Sequence, residues 1–197
     1  MKIHPKVSII IPVYNGSNFL KDAIESALAQ IYKNIEILVI NDGSRDNGKT
    51  AKIARSFGKK IRYFEKENGG VASALNFGIK KMTGDYFSWL SHDDIYYTNK
   101  IGCQIEHLLK DQKKLRKVVL FSDFELIESR GCHLTFVKTG HLASRFIYTL
   151  FDERFIHGCT TLVPKKAFKE VGLFNEKLKN AQDYEMWFRL MKKKIYF

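Results

Sequence analysis

Two adjacent carboxylates, Asp93 and Asp94, end the aromatic and apolar run "DYFSWLSHDDIYY" at 85–97, with His92 before them and Tyr96 and Tyr97 behind. Like charges side by side at the end of a buried run repel, unless a cation stands between them and another anion. A second candidate lies in "GSRDNGKT" at 43–50, which satisfies G-x-x-x-x-G-K-[ST], the phosphate-cradling loop of nucleotide hydrolases. A third acid, Asp183 in "NAQDYEMW", opens a helical pattern, where a carboxylate serves as a cap.

The elements that hold these residues alternate regularly. "KVSIIIPVY" (6–14) and "IEILVIND" (35–42) are near-continuous apolar runs rich in β-branched residues, the pattern of strands buried on both faces. "IRYFEK" (61–66) and "DYFSWLS" (85–91) read as a third and a fourth strand. Helical spacing separates them: Leu20, Ile24, Ala27, Leu28 and Ile31 on one face, a second helix through about Phe57, and a third at 71–82 with Ala72, Leu75 and Ile79 inward. Such alternation predicts an α/β fold with a mostly parallel sheet flanked by helices.

The second half is more mixed. A helix at about 98–110 carries Ile101, Ile105, Leu108 and Leu109, and "KVVLFSDFELIES" with "HLTFVK" predicts a small antiparallel pair around Gly131. A helical stretch at 141–151, the strand "CTTLVP", a short helix at 165–171 and a helix from about 183 follow. Tyr184, Trp187, Phe188 and Met191 are expected on the core side of the last one. No linker composition interrupts the chain, so one domain is expected over 1–197.

Composition narrows the partners. The chain carries 33 Lys and Arg against 21 Asp and Glu, a formal net charge of +12, with its densest basic stretches at 110–117 and 192–194. An anionic partner or a merely solvated lysine-rich surface both account for this. No aromatic-interleaved basic motif or zinc finger is present, so nucleic acid is not expected. Three cysteines without C-x-x-C spacing predict free thiols in the cytoplasm, and neither a signal peptide nor a membrane span is read.

In an open α/β sheet, ligands bind beyond the carboxyl ends of the strands, so "YNGSN", "NDGSRDNGKT", "ENGGVAS" and "SHDD" are the informative loops. A phosphate-cradling loop at Gly43–Thr50 fits the position after a strand. Its chemistry is awkward, because Asp42 and Asp46 would face a triphosphate.

"VSIIIPVYNG", "IEILVINDGSRD", "ENGGVASALNFGI", "WLSHDDIYY" and "VGLFNEKLKNAQDYEMWFRL", in this order over almost the whole chain, resemble the family 2 glycosyltransferases of the Rossmann-related GT-A fold. The resemblance implies a nucleotide-sugar-binding half over about 1–100 and an acceptor-binding half over about 101–197. It makes Asp42 the acceptor for a uracil N–H, and lines the nucleotide site with Pro12, Tyr14, Asn15, Asn68, Gly70 and Asn76. "SHDD" matches the family's metal motif, with Asp93 as ligand for Mn2+ or Mg2+ and Asp94 as a support or sugar contact. Asp183 becomes the general base of an inverting transfer from a nucleotide-sugar donor, UDP-linked by analogy. The implied acceptor is a glycan or a lipid-linked hydroxyl in bacterial surface polysaccharide synthesis, with the basic chain resting on anionic membrane at the inner face.

Four positions depart from the pattern: Asn41, Leu75, Ser91 and Gln182 stand where the family often has an acid, a base, an acid and an acid. His92 then reads either as a phosphate contact or as a surface histidine. Two alternatives stay open, a phosphate-loop nucleotidase using Gly43–Thr50 and a nucleotide-sugar-binding domain without turnover.

Overall fold

The structure is a computed structural model, described here for residues 4–110, 118–128, 132–139 and 156–195. Four strands and three helices alternate first: β1 (Val7–Val13), α1 (Leu20–Leu28), β2 (Ile35–Asn41), α2 (Lys49–Ser56), β3 (Arg62–Glu65), α3 (Val71–Lys81) and β4 (Tyr86–Trp89). Then follow α4 (Lys100–Lys110), the hairpin strands β5 (Phe124–Ile127) and β6 (His133–Val137), β7 (Val163–Pro164), α5 (Lys165–Val171) and α6 (Gln182–Lys192).

The main sheet has the order β3-β2-β1-β4-β7. β1 to β4 are parallel, and β7 runs antiparallel against β4 with Tyr86 opposite Pro164. Alternate side chains of β1 and β2 enter two separate cores, as a strand period of two requires. Ile10, Leu38 and Ile40 meet α3, α5 and α6 on one face. Ile9, Ile11 and Val39 meet α1, α2 and α4 on the other. Each fully buried Leu, Ile or Phe of this kind stabilises the fold by about 1.5–3 kcal/mol.

Some boundaries move from the sequence expectation. α1 stops at Leu28, and Ile31 is exposed. Gln30 turns inward instead, donating to Tyr97 O at 2.8 Å and accepting from Ile101 N at 3.1 Å. In α6 the buried face is Gln182, Met186, Trp187 and Leu190, while Tyr184, Phe188 and Met191 are only partly covered. "CTTLVP" opens in the 3-10 turn Gly158–Thr160 and then runs through Leu162, which bridges Leu120, into the two residues of β7. The hairpin expectation holds as β5–β6; Gly131 and the stretch 141–151 lie outside the described residues.

The amino edge of the sheet is fastened by one carboxylate. Glu36 accepts from Ser8 Oγ and Thr83 N, both at 2.6 Å, from Thr83 Oγ1 at 2.9 Å and from Arg62 at 2.8 Å. Burial alone would raise its pKa, but these donors outweigh it and hold the group at about 2.

Candidate functional site

Because β1 to β4 are parallel, the loops that follow them share the carboxyl edge. The β1 and β2 loops are stitched together by Asn15, whose N–H donates to Ser44 Oγ at 2.9 Å and whose Oδ1 accepts from Arg45 N at 2.7 Å. Pro12 is enclosed within β1 opposite Ile40, so the wall facing outward begins at Tyr14, 43% exposed. His92 lies over Gly16 so closely that a Cβ there would be 2.2 Å from its ring. The "NG" after β1 therefore seats the β4 loop beside the β1 loop.

Asp42 is the hub of this edge. It is buried, and its two oxygens accept from Lys66 Nζ at 2.7 Å, Gly70 N at 2.7 Å, Gly69 N at 3.2 Å and Asn68 Nδ2 at 3.2 Å. These bonds fold the "KENGG" loop onto the end of β2. Gly70 has φ 84, a conformation that favours glycine. Lys66, which the motif reading passed over, supplies the positive charge that compensates the buried carboxylate; its place directly after β3 was the available signal. Asn41 explains one departure: its amide donates to Tyr63 OH at 2.8 Å and its oxygen accepts from Ser44 N at 3.0 Å. A carboxylate could not make the first bond.

Two expectations are corrected. Asn76 does not line the nucleotide site. It is buried, with its amide donating to Phe174 O at 2.9 Å and Glu176 Oε1 at 2.8 Å and its oxygen accepting from Phe174 N, so it ties α3 to the loop before α6. The phosphate-loop alternative at Gly43–Thr50 also fails. Asp46 Oδ2 accepts from Thr50 N at 2.9 Å and Thr50 Oγ1 at 2.6 Å, so a carboxylate holds the N–H and hydroxyl that a phosphate and its cation would need. Thr50 is fully buried.

After β4, Asp93 points outward, its side chain 59% exposed, with His92 Nδ1 3.9 Å away. Asp94 turns inward. Burial raises its pKa, and hydrogen bonds from Cys159 and Ser91 oppose the rise. Ser91, where the family often has an acid, thus acts as a donor to Asp94. Among the described residues no three His, Cys, Asp or Glu side chains gather to cage a metal. One exposed carboxylate fits a hard cation that takes most of its shell from ligand phosphates and water.

Beneath this loop stands Lys100. Its ammonium meets the Tyr96 ring at 4.1 Å, Gln104 Oε1 at 3.2 Å and Ser88 Oγ at 3.3 Å, all on buried residues, and burial lowers its pKa to about 7.

The second half reaches the same edge because β7 is antiparallel to β4. The turn preceding β7 must then sit beyond the carboxyl end of β4. There Cys159 hydrogen-bonds Asp94, and the carbonyl of Ile156 accepts from Trp187 Nε1 of α6 at 3.3 Å. Asp183 lies one turn before Trp187. It does not cap α6: its carboxylate meets the N–H of its neighbour Tyr184, at 3.0 Å, and its own N–H. Burial raises its pKa, while Tyr184 N–H and the nearby His157 pull the other way. His157 acts in the same sense on Asp94, so one imidazole neighbours both carboxylates. The sequence reading assigned His157 no role and took Cys159 only as a free thiol, since neither belongs to a motif.

The profile described as "Glycosyl transferase family 2" matches residues 8–172. The chain belongs to glycosyl transferase family 2. An uncharacterized glycosyltransferase of Rickettsia conorii is 53% identical over 193 residues, covering 96% of this chain and 32% of that protein. The chain thus spans about a third of that relative's length. S. aureus TarS 1-349 in complex with UDP-GlcNAc superposes with a TM-score of 0.72 at 22% identity, over 94% of this chain and 53% of TarS 1-349. The mannosyltransferase PcManGT of Pyrobaculum calidifontis, in complex with GDP-Man and Mn2+, gives 0.69 at 16% identity, over 98% of this chain and 54% of that one. The fold of this family 2 member is accordingly of GT-A type, as the loop motifs implied.

Proposed function

We propose that this family 2 chain transfers a sugar, with inversion, from a UDP-linked donor to a hydroxyl of a glycan or lipid-linked acceptor. What supports the reading is that Asp42, Asp93 and Asp94 follow parallel strands at one edge, and that α6, which carries Asp183, is tied through Trp187 to Ile156 in the turn reaching that edge. Asp42, Asn68 and Gly70 form the nucleobase end, and uracil would exchange for one of the bonds that Asp42 now accepts. Asp93 would hold Mn2+ or Mg2+ against the diphosphate, where the cation supplies Lewis-acid stabilisation of the departing charge. Asp183 accepts the proton of the acceptor hydroxyl as its oxygen bonds the anomeric carbon. The bond from that carbon to the diphosphate oxygen breaks, and UDP leaves carrying the electron pair. A carboxyl raised toward neutrality by burial is a better matched base than a solvated one. The formal charge of +12 supports work at an anionic membrane face, with bacterial surface polysaccharide synthesis as the setting.

The test is a thermal-shift panel of UDP, GDP, CDP, dTDP and ATP with and without Mn2+, followed by UDP release from UDP-sugars. Ligand at about 100 times Kd adds about 2.7 kcal/mol to stability. Metal-dependent stabilisation by UDP that Asp93→Asn removes, with UDP release that Asp183→Asn removes, is expected. UDP binding with no release from any sugar nucleotide would leave a binding domain in place of an enzyme.

A further inference from the structure

The carboxylates of the edge have tasks in this reading, and His157 has none. Its backbone is held from several sides. Its carbonyl accepts from Thr160 N at 3.0 Å and Thr160 Oγ1 at 2.8 Å, opening the 3-10 turn. The carbonyl before it is taken by Trp187, and that of Thr160 by Gln104 Nε2 at 2.9 Å. Gly158 lies against Trp89 so tightly that a Cβ would sit 2.0 Å from the indole. Cys159 reaches Asp94. The imidazole itself is exposed and meets the Phe124 ring edge-on, with centroids 4.8 Å apart. Among the described residues no hydrogen bond occupies its nitrogens. A ring mounted this firmly and left open stands on the turn whose Cys159 reaches Asp94, next to the carbonyl that Trp187, one helical turn after Asp183, holds.

We propose that His157 contacts the sugar being transferred, hydrogen-bonding one of its hydroxyls between Asp94 and Asp183, and so helps set which sugar nucleotide is accepted. The chemistry is complementary. A neutral imidazole offers one donor and one acceptor nitrogen, and a sugar hydroxyl both donates and accepts. Phe124 packs edge-on against the ring without using its nitrogens. Asp94 and Asp183, both acceptors when ionised, leave a hydroxyl there in need of a donor.

This role rests on the nucleotide-sugar reading of the edge, and the experiment separates the two. Isothermal titration with Mn2+ compares UDP with UDP-glucose, UDP-galactose, UDP-N-acetylglucosamine and UDP-N-acetylgalactosamine on wild type, His157→Ala and His157→Gln. Wild type is expected to distinguish at least one sugar nucleotide from UDP. His157→Ala should weaken that sugar nucleotide about tenfold, the loss of one hydrogen bond, and leave UDP within about twofold. His157→Gln, which keeps a donor and an acceptor, should recover part of the loss. The melting temperature should not move, because the ring is exposed, so a purely structural role would not reproduce the pattern. Sugar-nucleotide affinities unchanged by His157→Ala would overturn the inference alone. Wild type binding neither UDP nor any of the four would overturn the nucleotide-sugar reading, and this role with it.

Discussion

Replacing Lys100 by Met should stabilise the protein at neutral pH and change how stability depends on pH. Burial among Tyr96, Ser88 and Gln104 lowers the Lys100 pKa from 10.5 to about 7, and among the described residues no carboxylate pairs with it. The unfolded chain therefore binds a proton that the folded chain releases between those values. Below about pH 7 both states are charged and the full cost of the buried ammonium falls on the folded state. That cost fades as the pH rises toward 10.5. At about 1.4 kcal/mol per unit the shift corresponds to 4–5 kcal/mol, reduced to about 3–4 because the residue as a whole is half-buried. Met leaves Gln104 Oε1 without its donor, which costs about 1–2 kcal/mol. Ser88 keeps Tyr96 OH at 2.8 Å. The expected net gain is about 2 kcal/mol at pH 6.5, disappearing by about pH 10. Urea unfolding of both proteins under reducing conditions at pH 6.5, 8 and 9.5 measures it. Stability differences that stay constant across that range would refute the argument that Lys100 is charged at a cost.

Glu36 behaves in the opposite sense. Its folded pKa of about 2 lies below the ordinary 4.5, so its stabilisation is present above pH 4.5 and lost as the pH falls toward 2. Glu36→Gln should cost about 2 kcal/mol at pH 7 and blunt acid unfolding in that window, read by circular dichroism against pH. Gly158→Ala forces a Cβ to 2.0 Å from Trp89 and should cost about 1–3 kcal/mol in urea unfolding, while weakening sugar-nucleotide binding through displacement of the turn. An unchanged urea midpoint would mean that Trp89 can move aside.

How much of this was legible in the sequence differs along the chain. The alternation of β1 to β4 with α1 to α3 was readable because each element carries its own period, and parallel strands then send their loops to one edge automatically. Asp42, Asp93 and Asp94 could be placed at that edge for this reason. Asn76 was misread since its partners, Phe174 and Glu176, stand about a hundred residues on, and no local pattern tells an amide facing a cleft from one tying two loops. The face of α6 was displaced because an aromatic at helical spacing says that a helix packs, not which aromatic faces the sheet. Tyr184 and Phe188 are only partly covered while Met186 is fully enclosed. His157 and Cys159 were invisible because their neighbourhood exists only once β7 has turned antiparallel to β4.

That short strand has a consequence for the order in which the molecule is built. Until β7 arrives, β4 is an open edge carrying Tyr86, Phe87 and Trp89, a template on which another copy can pair. The opposite edge, β3, bears Arg62 and Glu65, charges that discourage such pairing. During synthesis the segment through β4 emerges with the unguarded side exposed, and roughly seventy more residues must follow before Val163 and Pro164 close it. Fragments ending after α4 should therefore aggregate through β4, since the strand that carries its preceding turn to the carboxyl edge is also the one that covers β4.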